Sequence, residues 1–375
     1  MQSRNKFRAT RFVLLKISWL FIFFSRLRRA EKRILIIKID AIGDYILFRN
    51  YLEVLKKSEK YKGYKIDLLG NVKWKDLALE YDKDFVSDFI FINEDELLVK
   101  PLKVFKLGIK LFKRRYQIVL QSTYSRTLLG NGISALASPR ENISYLSDNE
   151  HNPRYKKKTD KFYTSLIKLP DTSYHELERN HFFFEAITGE IIPFQQPSLH
   201  VKKNKKEGIL IFPGSSTYKK NWEKEKFLEI INRILQTTNH NVIIAGGPAE
   251  KSIACYLVGQ SPYYDRITDK TGNTTLPDLI SLVAGSKLVI SNDTNTVHIA
   301  AATDVPAICI LGGGHFGRFL PYPAHFKSKP ISIFSHMPCF NCSWECKYHT
   351  LHHEPFPCIS RVNTESVWNE VIKLV

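Results

Sequence analysis

Acidic residues are in short supply: 37 Asp and Glu stand against 55 Lys and Arg, leaving a formal net charge of +18. That balance points to anionic partners, whether nucleic acid, a phospholipid surface or phosphorylated substrates. No RNP-type basic–aromatic motif and no helix-turn-helix signature is present, so a nucleic-acid partner is not expected. Long apolar runs are also missing. The most apolar stretch, Phe12 to Phe24, is broken by Lys16 and Ser18 and falls short of the roughly 20 residues that a spanning helix needs. No small-residue cleavage site follows it, which argues against a secretion signal. Arg4, Lys6, Arg8 and Arg11 precede the run, and Arg26, Arg28, Arg29, Lys32 and Arg33 follow it. Residues 1–30 therefore read as a basic, apolar membrane-surface segment, a helix lying in the headgroup interface. The alternative is a helix packed on the domain surface. Six cysteines without a cleavable signal suit a reducing compartment better than a disulfide framework.

What is present is enough for two domains, with 375 residues and a 43% hydrophobic fraction. One stretch organises the rest, Leu288 to Gly314. Leu288-Val289-Ile290 is an uncharged β-branched run, as a buried parallel strand requires. Ser291-Asn292-Asp293-Thr294 supplies capping groups, and the small residues Ile299 to Ala302 let a helix approach the sheet closely. Asp304-Val305-Pro306 ends that helix, and Ala307 to Leu311 is the next strand. Ligands of open α/β sheets bind at the carboxyl ends of strands. Asp293, Thr294, Asn295 and His298 occupy such a loop and the first turn of its helix, where backbone N–H groups favour an anion. Equally, Asp293 or Thr294 caps the helix and His298 packs beside it.

Strand and helix alternate through the remaining chain, a doubly wound pattern. Arg33–Ile39 is the first strand, followed by Asp40-Ala41-Ile42-Gly43-Asp44 and a helix to about Lys57. Strands are expected at 65–70, 85–92 and 117–122, with helices at 72–81 and 97–115. Residues 130–171 read as loop-rich, and Tyr174 to Ile187 as a basic helix close to an acceptor, carrying His175, Arg179 and His181. Lys202 to Glu207 reads as the interdomain linker. A second α/β domain opens at Gly208. Its first strand exits into Pro213 to Trp222, where Gly214, Ser215, Ser216 and Thr217 offer donors for a diphosphate and Lys220 adds a cation. The strand 241–247 leads into Pro248-Ala249-Glu250 and a helix.

The segment NDTNTVHIAAATDVPAICILGG resembles the donor-nucleotide loop of glycosyltransferase family nine, the ADP-heptose:lipopolysaccharide heptosyltransferases. Asn295 stands where that family usually has Gly. IIKIDAIGDYILFRNYLEVLKK resembles the family's opening strand and Gly-Asp helix, and the segments at 213–222, 246–250 and 271–276 also match in kind. The resemblance implies a GT-B fold, two Rossmann-like domains with parallel sheets facing a central cleft. The expected division is 31–201 for the acceptor domain and 208–335 for the nucleotide-sugar domain, with a Cys/His-rich tail at 336–375. It further implies an inverting, metal-independent transfer without a cofactor. Asp44 would be general base and Lys220 would stabilise the leaving diphosphate, while Gly214–Thr217, Glu250, Asp293, Thr294, Asn295 and His298 bind the donor. Expected partners are a nucleotide-diphosphate sugar, an anionic lipid-linked or lipopolysaccharide acceptor and the inner-membrane surface. The expected location is cytoplasmic, peripheral on the inner face of the bacterial inner membrane. Another GT-B enzyme, such as a sugar-nucleotide epimerase, is the alternative. Gly312-Gly313-Gly314-His315 replaces the family's usual F-G-[PA]-T, which leaves the sugar open. In the tail, Cys339, Cys342, Cys346 and Cys358, with His336, His349, His352 and His353 between or near them, fit either a zinc site or a metal-free cysteine-rich loop.

Overall fold

The computed structural model describes residues 2–146, 154–170, 175–201, 207–348, 350–351 and 354–375. The chain divides into two compact units, residues 1–172 with 177–195, and residues 173–176 with 196–375. In the first unit β1 (Glu31–Lys38), β2 (Lys65–Asn71), β3 (Asp88–Ile92), β4 (Tyr116–Gln121), β5 (Glu141–Tyr145) and β6 (Ser165–Ile167) form one sheet in the order β3-β2-β1-β4-β5-β6. In the second, β7 (Ile209–Phe212), β8 (Val242–Ile244), β9 (Ile267–Asp269), β10 (Leu288–Asn292), β11 (Ala307–Ile310) and β12 (Ile331–Ile333) run β12-β11-β10-β7-β8-β9. Every pairing is parallel. Such sheets are covered on both faces, which is why Ile34 to Ile37 and Leu288 to Ile290 are continuous apolar runs without exposure.

Each strand order reverses once, between β1 and β4 in the first unit and between β7 and β10 in the second. The crevices at the carboxyl ends of those strand pairs are where this topology places ligands. Both units are thus Rossmann-like, and the chain is of the GT-B class.

Several elements differ from the sequence expectation. The described residues of 130–171 are not mainly loop: they contain most of the helix Leu128–Ala137, then β5 and β6. That helix is buried on all sides, so it carries no polar face to betray its period. The expected helix over 97–115 is two helices, Glu94–Val99 and Pro101–Lys113, because Pro101 cannot continue the hydrogen-bond ladder but suits a first helical turn. The helix expected from Tyr174 runs Glu176–Thr188. Residues 202–206 of the expected linker, and His349, His352 and His353, lie outside the described residues. The tail is no separate layer. Met337, Cys358, Ile359, Val362, Val367 and Val371 join the second unit's core with Ile209, Phe227 and Ile308.

Residues 2–25 are helical throughout, with a π-helical turn at Val13–Ile17. Leu14 is fully buried in the first unit's core beside Val104, Leu111, Leu128 and Ile133. A Cβ on Gly132 would stand 2.5 Å from Leu14 Cδ2, so glycine there lets the two helices approach. Among the described residues, no helix is long and apolar enough to cross a membrane.

Candidate active site

Six segments leave the carboxyl edge of the second sheet, one after each parallel strand, and the pair at the β7/β10 switch point is bolted together by one side chain. Asn292, fully buried at the end of β10, donates from Nδ2 to the Pro213 carbonyl at 2.6 Å and accepts at Oδ1 from the Trp222 N–H at 2.9 Å. Both ends of the 213–222 loop are thereby fixed to the strand that carries Asp293. Buried hydrogen bonds of this kind fix loop geometry because either partner left alone would be unsatisfied. Ser291 Oγ and Thr294 Oγ1 lie 3.1 Å apart, and Thr294 accepts from the Thr296 N–H as the cap of helix Asn295–Ala302. Thr294, not Asp293, is therefore the cap. Asn295 occupies the first helical position, and it is not among the residues of positive φ. The family's glycine is not needed there on backbone grounds.

Asp293 is left at the mouth of the helix, half-buried. Burial raises its pKa to about 6, against an opposing pull from Lys220. Burial likewise lowers the Lys220 pKa, with Asp293 opposing. Lys220 Nζ sits 3.9 Å from the centroid of the Trp344 ring, an aromatic face that holds a cation where water is thin. Gly214 is buried under Glu250: a Cβ at Gly214 would lie 2.3 Å from Glu250 Cγ and 2.6 Å from Oε1. Glu250 also overlies Gly246, so this carboxylate rests on two loops. Ser215 Oγ donates to the Thr217 carbonyl at 2.8 Å, while Ser216 and Thr217 are exposed. Lys220, Asp293, Gly214, Glu250 and Thr294 thus belong to one loop cluster that carries the Lys220 cation.

His298 is placed differently. It is buried, its Nδ1 is 2.8 Å from Tyr322 Oη, and the two rings stack. Burial, helped by His175, lowers its pKa to about 3. The imidazole is neutral at any working pH, so it offers a hydrogen bond and no charge. His175 belongs to the same aromatic group, 5.0 Å from the Tyr322 ring and bonded to the Phe319 carbonyl.

In the first unit, Asp44 lies in the first turn of helix Ile42–Phe48, half-buried. Ala41 is the cap residue, so Asp44 is not the N-cap. A second carboxylate, Asp40, stands at the end of β1 and was not singled out from sequence. Its Oδ2 is 3.0 Å from the buried Lys38 Nζ and accepts from Thr123 Oγ1 at 2.6 Å. Trp74 Nε1 donates to the Asp40 carbonyl at 3.1 Å. Asp40 is committed to holding the β1 and β4 exits together. Glu94, pushed up by burial and by Asp40, adds a third acid there.

Sequence signals differ for the missed residues. Asn292 lies inside the quoted motif and carried the clue of a polar residue ending an apolar strand. Trp344 is 124 positions from Lys220 and left no local clue. Cys339, Cys342, Cys346 and Cys358 carry no disulfide and line one cavity of about 10 Å³ with Gly313. Among the described residues, no group of three or more His, Cys, Asp or Glu is arranged to hold a metal.

With this geometry in hand, the family profile "glycosyltransferase family 9 (heptosyltransferase)" matches residues 162–349. Lipopolysaccharide heptosyltransferase 3 of Escherichia coli is 30% identical over 105 residues, 28% of this chain and 31% of that one. Lipooligosaccharide heptosyltransferase 2 of Campylobacter jejuni is 26% identical over 187 residues, 49% and 55% of the two chains. The matches thus span about a third to about half of those curated relatives. Among solved structures, the E. coli ADP-heptose LPS heptosyltransferase II superposes with a TM-score of 0.68 at 16% identity, over 91% of this chain and 98% of that one.

Proposed function

The chain belongs to glycosyltransferase family 9, and from that premise we propose that it is an inverting transferase. It moves heptose or a related sugar from a nucleoside-diphosphate donor to a hydroxyl of a lipid-linked or lipopolysaccharide glycan. The observation that carries the reading is the loop pair at the β7/β10 switch point, tied by Asn292 and bearing Lys220 against Trp344. Lys220, the Gly214–Thr217 loop and the amino-terminal end of the Thr294-capped helix meet the diphosphate as charge develops on it. Glu250 takes a donor hydroxyl, His298 serves as a neutral positioning group, and Asp293, at a pKa of about 6, accommodates the anion best when protonated. Asp44 takes the acceptor proton as the hydroxyl attacks the anomeric carbon. Asp40, held by Lys38 and Thr123, ties the β1 and β4 exits together beside this chemistry. The acceptor's lipid anchor places the enzyme at the inner face of the bacterial inner membrane.

The test pairs binding with turnover. Calorimetry against ADP, UDP and GDP should return one preferred nucleotide, and the corresponding sugar nucleotides should supply substrate. With an acceptor verified on the native enzyme, Asp44→Asn should keep nucleotide affinity and lose about 10²–10⁴-fold in kcat. Near-native turnover by that variant would remove Asp44 from the chemistry. Absence of nucleotide binding altogether would remove the transferase reading.

A further inference from the structure

The N-terminal helix is anchored along one side and unfinished along the other. Its inner side is held by Leu14 in the core, by Phe21 edge-on to Phe105 and Phe112, and by Arg28, which donates to the Ala137 and Ser138 carbonyls. Its outer side presents Phe12, Trp19, Leu20, Phe23, Phe24 and Leu27, with Phe23 60% and Leu27 80% exposed. From Trp19 to Leu27 these positions recur at three- and four-residue steps and make one stripe, with Phe12 on the far side of the π-helical turn at Val13–Ile17. Because the inner side is fixed, the stripe is a permanent feature of the folded unit. Exposed apolar clusters of this extent mark contact surfaces.

Charge says what kind of surface. Residues 1–30 contain no Asp or Glu, and Arg8, Lys16, Arg26 and Arg29 are exposed beside the stripe. At its amino-terminal end lies a cavity of about 430 Å³, lined by Arg8, Arg11, Phe12, Leu15, Lys16, Tyr155 and Lys158. Among the described residues, four cations and a phenol form its polar lining, without a carboxylate. Arg11 Nη1 donates to Tyr155 Oη at 2.8 Å, which steadies the two sides of the pocket. The neighbouring Asp160 is engaged by Arg126 and Lys156.

We propose that this face docks on an anionic phospholipid bilayer, with the stripe sunk into the interface and a headgroup phosphate in the Arg8–Arg11–Lys16–Lys158 pocket. Aromatic and leucine side chains at the acyl boundary combined with cations at headgroup level are the chemistry of interfacial helices. The inference deepens the membrane-surface part of the proposed function. It needs no donor, acceptor or turnover, so it stands or falls separately from the transferase chemistry.

Full-length protein is sedimented with phosphatidylcholine vesicles, with and without phosphatidylglycerol, across a salt series. Native protein should pellet with the anionic vesicles and be released as salt rises. Leu20→Ser/Phe23→Ser/Phe24→Ser alters only the outer and flanking apolar positions and should weaken binding at least about tenfold. Arg8→Glu/Lys16→Glu should abolish the preference for anionic vesicles. Thermal melts and nucleotide affinity of both variants should match the native protein, which separates loss of docking from loss of fold. Three results overturn the proposal: native protein that stays in the supernatant, variants that pellet as well as native, or a stripe variant that dissolves a dimer in ultracentrifugation while vesicle binding persists.

Discussion

Two carboxylates illustrate how environment assigns roles to like residues. Asp40 is bound by Lys38 and Thr123, whereas Asp293 is desolvated, with Lys220 offering only partial relief. Its folded pKa of about 6 lies above the ordinary Asp value of about 3.9. The folded state therefore binds the proton more tightly than the unfolded chain does. Above pH 6 the partly desolvated charge opposes folding, and as pH falls through 6 toward 4 that cost is relieved. The same protonation removes a negative charge from beside a bound diphosphate. Nucleoside-diphosphate affinity of the native enzyme should therefore rise roughly tenfold, or ~1.4 kcal/mol, between about pH 7.5 and pH 5.5. In Asp293→Asn the rise should shrink to what the ligand's own titration causes. Calorimetry on both proteins at the two pH values reads the difference, and parallel profiles would mean that Asp293 does not face the phosphates.

At the scale of elements, the site is a property of loops positioned by strands. Gly214 and Glu250 show the coupling. No positive φ is recorded for Gly214, so its need for glycine is steric: any side chain meets Glu250. Gly214→Ala should displace Glu250 and lower the melting temperature, whereas Gly214→Ala/Glu250→Ala should recover it, with a coupling energy of about 0.5–3 kcal/mol. Because Glu250 is proposed to touch the donor, the double variant should regain stability without regaining affinity. A double variant no more stable than Gly214→Ala would refute the steric account. These loops were legible because strand β10 is an apolar run closed by Ser291-Asn292-Asp293-Thr294, and because Gly214 follows an equally plain strand. What stayed hidden depended on distance or on full burial. Trp344 reaches Lys220 from the tail, Lys38 is a charged residue inside a strand, and helix Leu128–Ala137 has no solvent face from which a period is read.

For the molecule as a whole, the N-terminal helix decides what counts as the domain. Read by composition, residues 1–30 form a detachable segment; by packing, Leu14 sits in the same core as Val104, Leu111 and Ile133. One helix meets both descriptions because its two sides have different jobs. Leu14→Ala would leave a cavity against Gly132 and the helix around it, and substitutions of this kind cost roughly 2–5 kcal/mol. Phe24→Ser on the outer side changes little that is buried and should fall within about 0.5 kcal/mol of native. Urea unfolding followed by hydrogen exchange separates the two units, so that the loss from Leu14→Ala is read in the first and the second serves as internal reference. Deletion of residues 1–30 should destabilise the first unit at least as much as Leu14→Ala. If deletion and Leu14→Ala both left the first unit's exchange unchanged, the helix would be an appendage and its outer stripe would lose its fixed orientation.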